Sequence, residues 1–436
     1  MNGQRIFVKG RTFEAGDPEL QTALAAIYET PERPRCLCVK GGVDLYISRR
    51  SSVFHLARMP GTGNQHHPTC PDYEPNPASS GRGALIGDAI VEKSAETIEI
   101  HIGFPLSRSP GGRAIPRGEA TPPKDVHAPK HRLSLQAVLH TLYETARFNR
   151  WYPAMEGARN QGVLCKYLME AANHILVRGE PLACRLYVPE PFTADRKDEI
   201  AARRREKLAF LNTSDQGKEF QFGFVIGEFK EAEAAASSCK VRIKHLPDMP
   251  LRMEAKAWAR VERVYQPLLE ATEADVPRKP RILVAALIYA KQESVYQIER
   301  LTMMLVSDQY VPLNGAFELP LLERLQSDKR IFIKPLQYDS ASAASFANFL
   351  LLDAASGQGG DYPLHVMSKF VDAKEQALKA KAVEKCGPDA WVWHTDQPIP
   401  PLPAVRRYVG TTAQVSNTVS NGALATAAAP ASLGRT

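Results

Sequence analysis

Apolar and polar positions follow two different periods along this chain, and the switches between them mark its elements. Over residues 97–102 apolar side chains fall at alternate positions, as in a half-buried strand. Residues 43–47 and 53–57 read as two more short strands. After Ser134, whose hydroxyl can cap a helix, Val138, Leu139, Leu142 and Ala146 recur at helical spacing. A second helix is predicted over residues 161–176, then a strand over 182–188. Residues 194–209 read as helix, 220–229 and 239–246 as paired strands, and 254–269 as helix again.

Past Pro280 the order becomes more specific. Strands are predicted over residues 282–289 and 297–306, then a short helix over 315–325 carrying Glu318. Strands over 330–338, 348–353 and 364–367 follow, then a helix over 372–384 and a strand over 391–393. From Glu318 onward the order is α-β-β-β-α-β. Two stretches show neither period. Residues 104–132, crowded with Pro, Gly, Arg and Lys, read as a linker or extended arm, and 410–436, rich in Ala, Ser, Thr and Asn, as a disordered tail. The class is α+β, divided into a β-rich module (1–103), the linker, a central region with helices (133–279), an α/β domain (280–409) and the tail.

Composition narrows the function. A chain of 436 residues exceeds one simple core and suggests two or three domains. A net charge of +7 suits an acidic partner such as nucleic acid. The first ten residues hold no apolar leader, and the longest apolar run, 282–290, is too short to span a bilayer, so a cytoplasmic protein without membrane contact is expected. No Walker A loop and no GxGxxG after a strand occurs, so the common nucleotide-binding signatures are absent; no GxSxG elbow occurs either, and Ser, His and Asp show no local hydrolase arrangement.

Cysteine carries the clearest chemistry. Seven cysteines, an odd number, fit a reducing compartment. Cys36-Leu37-Cys38 is followed by His55, His66, His67 and Cys70 in a segment rich in Gly, Pro and Arg. Zinc takes four soft or borderline ligands in a tetrahedron, and two cysteines one residue apart on a strand point the same way. The set predicted is Cys36, Cys38, His66 and Cys70, with His67 and His55 as substitutes for the last ligand. A structural zinc is expected, since only Asp72 and Glu74 lie close in sequence as an acid or base. Farther along, Arg203, Arg204 and Arg205 offer a phosphate-contacting surface, although a solvated helix face is the better account of such a run.

The α-β-β-β-α-β block resembles the core of the restriction-endonuclease-like fold, the PD-(D/E)xK nucleases. That resemblance implies a magnesium held by an Asp on the second strand and a Glu on the third, with a Lys polarising water and a helix Glu assisting. Here Asn348 replaces the Asp and His365 the Glu. Glu318, Lys334 and Asp353 survive as candidate catalytic residues, but Asp353 stands at an odd offset from Asn348, on the opposite face of a regular strand. Magnesium enters only if the protein is a nuclease.

Taken with the Cys/His segment, Leu56 to Gly63, His66-His67-Pro68-Thr69-Cys70, Asn149-Arg150-Trp151, Phe332 to Leu336 and Phe349 to Asp353, the chain resembles the bacterial domain-of-unknown-function family 1173. The resemblance implies a setting on plasmids and integrated mobile elements and a link to DNA, without a reaction. Three functions follow. The first is a non-catalytic nucleic-acid-binding protein, DNA being the expected partner. The second is a metal-dependent nuclease with a migrated site. The third is an interaction protein whose partner is encoded on the same mobile element.

Overall fold

The computed structural model describes residues 4–50, 52–94, 96–109, 131–212, 219–273, 277–355 and 360–406. Residues 110–130 of the predicted arm and the whole predicted tail lie outside them. Among the described residues the class is mixed α+β, with seven helices. They are α1 (Pro18–Ala25), α2 (Leu135–Thr145), α3 (Gln161–Asn173), α4 (Lys197–Lys207), α5 (Ala255–Glu273), α6 (Leu319–Ser327) and α7 (Ala373–Lys385). Local chemistry sets where several begin. Ser134, Asn160 and Asp372 each accept a backbone N–H from the first turn of α2, α3 and α7, satisfying a donor the helix itself cannot use. None of the helices is long and apolar enough to cross a membrane.

The N-terminal module is a five-stranded antiparallel sheet of Arg5–Val8, Arg11–Glu14, Arg35–Cys36, Val43–Arg50 and Val53–Arg58. Its small core of Ile6, Val8, Phe13, Leu45 and Ile47 continues into Ile333, Leu350 and Leu352 of the C-terminal sheet.

The centre of the molecule is a strand ring. Gly223–Ala234, Ser238–Ile243 and Leu251–Glu254 pair antiparallel in succession, α5 follows, and Arg281–Gln292 and Val295–Val306 form a long hairpin. The fourth strand returns to pair antiparallel with the first, and the fifth lies parallel to the third. The five strands therefore close on themselves, drawing on residues from both sides of Pro280. Two local features permit the closure. A register shift between Phe229 and Glu231 bends the first strand so that its two halves serve different neighbours. At Gly227 an added Cβ would lie 2.5 Å from Ile243 Cγ2, so only glycine lets the walls approach. Alternation then sorts the side chains. Val225, Val241, Leu251, Met253 and Val284 point into one core with Trp258 of α5. Phe224, Ile226, Leu283, Ala285 and Leu287 point into a second core with Leu139 and Leu142 of α2 and Leu164 of α3. Both faces of Arg281–Gln292 are thus covered, which explains its unbroken apolar run.

The C-terminal block has the element order read from the sequence. After α6, Phe332–Ile333, Phe349–Leu351 and Tyr362–Met367 pair antiparallel. Trp391–His394 then returns parallel to Tyr362–Met367 by way of α7, since a parallel neighbour needs a crossover. Two predicted strands are shorter than expected. Of residues 330–338 only Phe332–Ile333 form a strand; the Lys334 N–H adds one bond in the same register, to Asn149 O at 2.7 Å, and Pro335 then has no N–H to carry the ladder on. Of residues 182–188 only Leu186–Tyr187 form a strand, and Leu182–Arg185 coil into a 3-10 turn behind Pro181.

Two buried imidazoles make the fold acid-sensitive. His140 accepts the Tyr338 N–H at 2.9 Å, and burial pulls its pKa down to about 4. His365 is pulled down to about 4 by burial and by the nearby Lys379. An unfolded imidazole titrates near 6.5, so below that pH the unfolded chain gains protons that the native state refuses. Stability is therefore lost as pH falls from about 6.5 towards 4, by about 2 kcal/mol per histidine at pH 5. Urea midpoints at pH 7.5 and 5.0 measure the drop. It should shrink in His140→Asn, which keeps an acceptor without a titrating ring, and an unchanged drop would contradict the assignment.

Candidate metal centre and buried polar cluster

The Cys/His segment folds into two facing turns. Cys36 ends its strand, and Cys38 stands in the turn that follows, not on a strand as the spacing suggested. Gly41 and Gly42, both at positive φ, close that turn. Opposite, Gly63–Gln65 forms a short 3-10 turn capped by His66, and Cys70 N–H closes a tight turn onto His67 O at 2.8 Å. Gly63 is needed there, since an added Cβ would lie 2.7 Å from the Glu74 Cβ.

The turns bring Cys36, Cys38, His66 and Cys70 together, with one ligand atom of each within 4.8 Å of all the others. Cys36 Sγ lies 3.7 Å from Cys70 Sγ, too far for a disulfide, and all seven cysteines are free. His66 Nδ1 lies 3.4 Å from Cys38 Sγ and 3.7 Å from Cys70 Sγ. Zinc–sulfur bonds near 2.3 Å in a tetrahedron set a ligand–ligand edge of about 3.75 Å. The donor set and its spacing fit zinc, and no acid or base completes a catalytic arrangement within the four.

The electrostatics favour a cation. Hydrogen bonds from Cys38 and Cys70 hold Cys36 well below the ordinary thiol range, while bonding to Cys36 and Cys38, together with burial, pushes Cys70 up. Burial opposes a charged His66, yet hydrogen bonds and charge from Cys36 and Cys38 outweigh it and raise its pKa to about 9. The four thus share protons that a metal would displace. The His67 N–H donates to Cys38 Sγ at 3.3 Å, and Gln4 Nε2 to Cys36 Sγ at 3.3 Å, supporting thiolate charge from behind. His67 stands outside the four, its Nδ1 2.8 Å from Thr69 Oγ1 and its Nε2 3.2 Å from Arg406. His55 is on Val53–Arg58, lining a cleft of about 680 Å³ against α3.

The C-terminal candidates divide. Glu318 and Lys334 meet at 2.7 Å, both wholly buried. Their third member is Asn348, whose Nδ2 donates to Glu318 Oε1 at 2.5 Å while its Oδ1 accepts the Val366 N–H at 2.9 Å. Glu318 Oε2 accepts the Asn314 N–H at 2.8 Å, so both carboxylate oxygens are engaged inside the protein. Burial pulls the Lys334 ammonium below the usual lysine range, with Glu318 opposing. Asp353 does not join them. It is gripped by the Arg330 guanidinium at 2.9 and 3.1 Å and by the Ile331 N–H at 3.0 Å. His365 is buried, with Nε2 3.6 Å from Cys386 Sγ and Nδ1 without a partner.

Sequence reasoning missed Lys379. It is buried on α7, donates to Phe346 O at 2.5 Å, and lines a cavity of about 140 Å³ with Asn348 and Ser368. Burial, with Lys334 close by, lowers its pKa to about 7. Its place on the inward face of the predicted helix, three residues after Gln376, was the available signal.

The arginine run is mostly neutralised. Arg203 is bonded to Glu190 at 2.7 and 3.0 Å and also to Glu199. Arg204 is buried against Asp248, and Arg205 is exposed.

A model of a family described as a protein of unknown function, DUF1173, matches residues 7–396. No curated protein and no solved structure matches.

Proposed function

The chain belongs to the DUF1173 family, and we propose that this member is a zinc-stapled nucleic-acid-binding protein whose nuclease-like block is a scaffold without catalysis. The observation that carries the non-catalytic half is the state of Glu318. Both of its oxygens accept bonds from Lys334, Asn348 and Asn314, and Asp353 is held by Arg330. A magnesium site needs oxygen ligands free to turn to the ion, and these two acids are each satisfied elsewhere. The kinship with restriction-endonuclease-like proteins is supported by the α-β-β-β-α-β order and by the parallel last strand.

Zinc would be held by Cys36, Cys38, His66 and Cys70, where it would fasten two turns and the module they belong to. Its role is structural. The binding half is supported by the net charge of +7 and by exposed Lys374, Lys381 and Lys385 on α7. DNA is the partner expected, in the mobile-element setting that the family resemblance implies.

Fluorescence anisotropy with labelled single- and double-stranded DNA across a salt series tests the reading. We expect binding that weakens linearly on a log-log salt plot, since each phosphate contact releases counterions. With magnesium present the DNA should stay intact. Absence of binding at low salt would overturn the nucleic-acid reading and leave a protein partner as the alternative. Magnesium-dependent cleavage, lost in a Lys334→Ala protein that circular dichroism shows to be folded, would instead support a nuclease with a migrated site.

A further inference from the structure

The five-stranded ring has one covered side and one open side. Outward side chains of the first and fourth strands, Phe224, Ile226, Leu283 and Leu287 among them, are buried under α2 and α3. Outward side chains of the second and third strands, Lys240 and Arg252, are exposed. We infer that this open face, centred on Lys240 and Arg252, seats the phosphate backbone of a single-stranded nucleic acid. The inference rests on the nucleic-acid reading above and assigns it a place.

Register supplies the first argument. Glu233 lies opposite Lys240, Lys240 opposite Arg252, and Arg252 opposite Gln297, so the four form one row across three strand junctions. Two cations set directly opposite each other on a sheet repel and cost stability. The acid beside them offsets the pair only in part, because Glu233, though it feels the charge of Lys240, is bonded to Arg242 at 2.7 Å. A phosphodiester running across the row would lie between the two cations, with the Gln297 amide as a further donor. Arginine and lysine there need no base identity, which suits sequence-tolerant binding.

Topology supplies the second. The ring is a closed five-stranded barrel, with α5 between its third and fourth strands and its fifth strand beside its third. Small Greek-key barrels of five strands that hold oligonucleotides use the face of their second and third strands, together with the loops between strands one and two and between four and five. Both loops are exposed here, at residues 235–237 and 293–294, and they leave this face uncovered. Just beyond the row, a cavity of about 410 Å³ against the first two strands is lined by Phe192 and His245 and by Lys230 and Arg242, which are paired there with Glu231 and Glu233. A base has an aromatic wall there, next to the backbone track.

The test compares the full-length protein with Lys240→Ser/Arg252→Ser by anisotropy, using a labelled single-stranded oligonucleotide, a duplex of equal length and labelled polyglutamate. The two side chains are exposed, so the variant should melt close to the parent. The expected result is tighter binding of the single strand than of the duplex, about tenfold weakened in the variant. The log-log salt slope should become shallower by about 1.4, two phosphate contacts at about 0.7 each. Arg252→Lys, which keeps the charge, should hold the parental slope. Parental binding with an unchanged variant would overturn this placement alone. A parent that binds no nucleic acid at low salt would overturn the proposed function and this inference with it. Equal affinity for polyglutamate would mark a general polyanion surface and also overturn it.

Discussion

Lys334→Met is expected to destabilise the protein by about 3–5 kcal/mol, the cost of leaving one charge of a buried pair alone. Glu318 is wholly buried, and its carboxylate would keep only the Asn348 and Asn314 donors after the ammonium is gone. Methionine fills the volume of the Lys334 stem but lacks the Nζ that lies 5.2 Å from the centre of the Phe349 ring, so the loss reports the ammonium and its contacts more than volume. Adding Glu318→Gln removes the stranded charge and should recover most of the loss, because an apolar or neutral pair of similar shape often matches a buried ion pair. Urea unfolding of the parent, both single variants and the double variant gives the coupling. A single-variant loss under about 1 kcal/mol would show that the pair does not hold this part of the fold.

Cys36→Ser has the second large effect. Serine keeps the size but removes the soft donor, so three ligands remain and zinc should leave during desalting. Zinc held by such a set contributes about 10–16 kcal/mol in small domains, where folding and binding are one event. Here the hydrophobic core beneath the site, Ile6, Leu45 and Leu352 among its members, shares the task. The expected outcome is therefore a lower melting temperature and selective proteolysis within residues 5–100, with the barrel left intact. A variant that kept its metal and its protease resistance would remove Cys36 from the site.

Much of the metal site was legible because ligand chemistry is local and rare. Three thiols and an imidazole between Cys36 and Cys70 seldom gather except around a metal, and all four converge. The route by which Cys38 arrives was not legible. Spacing alone suggested a strand, whereas Gly41 and Gly42 turn the backbone. The order α-β-β-β-α-β was legible from apolar periodicity and from caps such as Asp372. What escaped was long-range pairing. Nothing near Asp353 announces that Arg330, on a different segment, will take its carboxylate, and Asn348 joins Glu318 only once the strands are in register. The barrel escaped for the same reason. Four of its strands were foreseen, the first two as a pair, but Leu251–Glu254 was not, and closure depends on the first strand meeting the fourth, about 60 residues later. Arg203 and Arg204 show the opposite failure, a charge run that reads as a binding surface until Glu190 and Asp248 arrive from elsewhere.

Metal content of the full-length protein, purified without chelator or added metal and read by plasma mass spectrometry, tests the central claim most directly. One zinc per chain, retained through dialysis and released with the loss of N-terminal protease resistance, is the result predicted. Protein that carries no metal, with Cys36, Cys38 and Cys70 freely titrated by a thiol reagent and melting unchanged by added zinc, would contradict it.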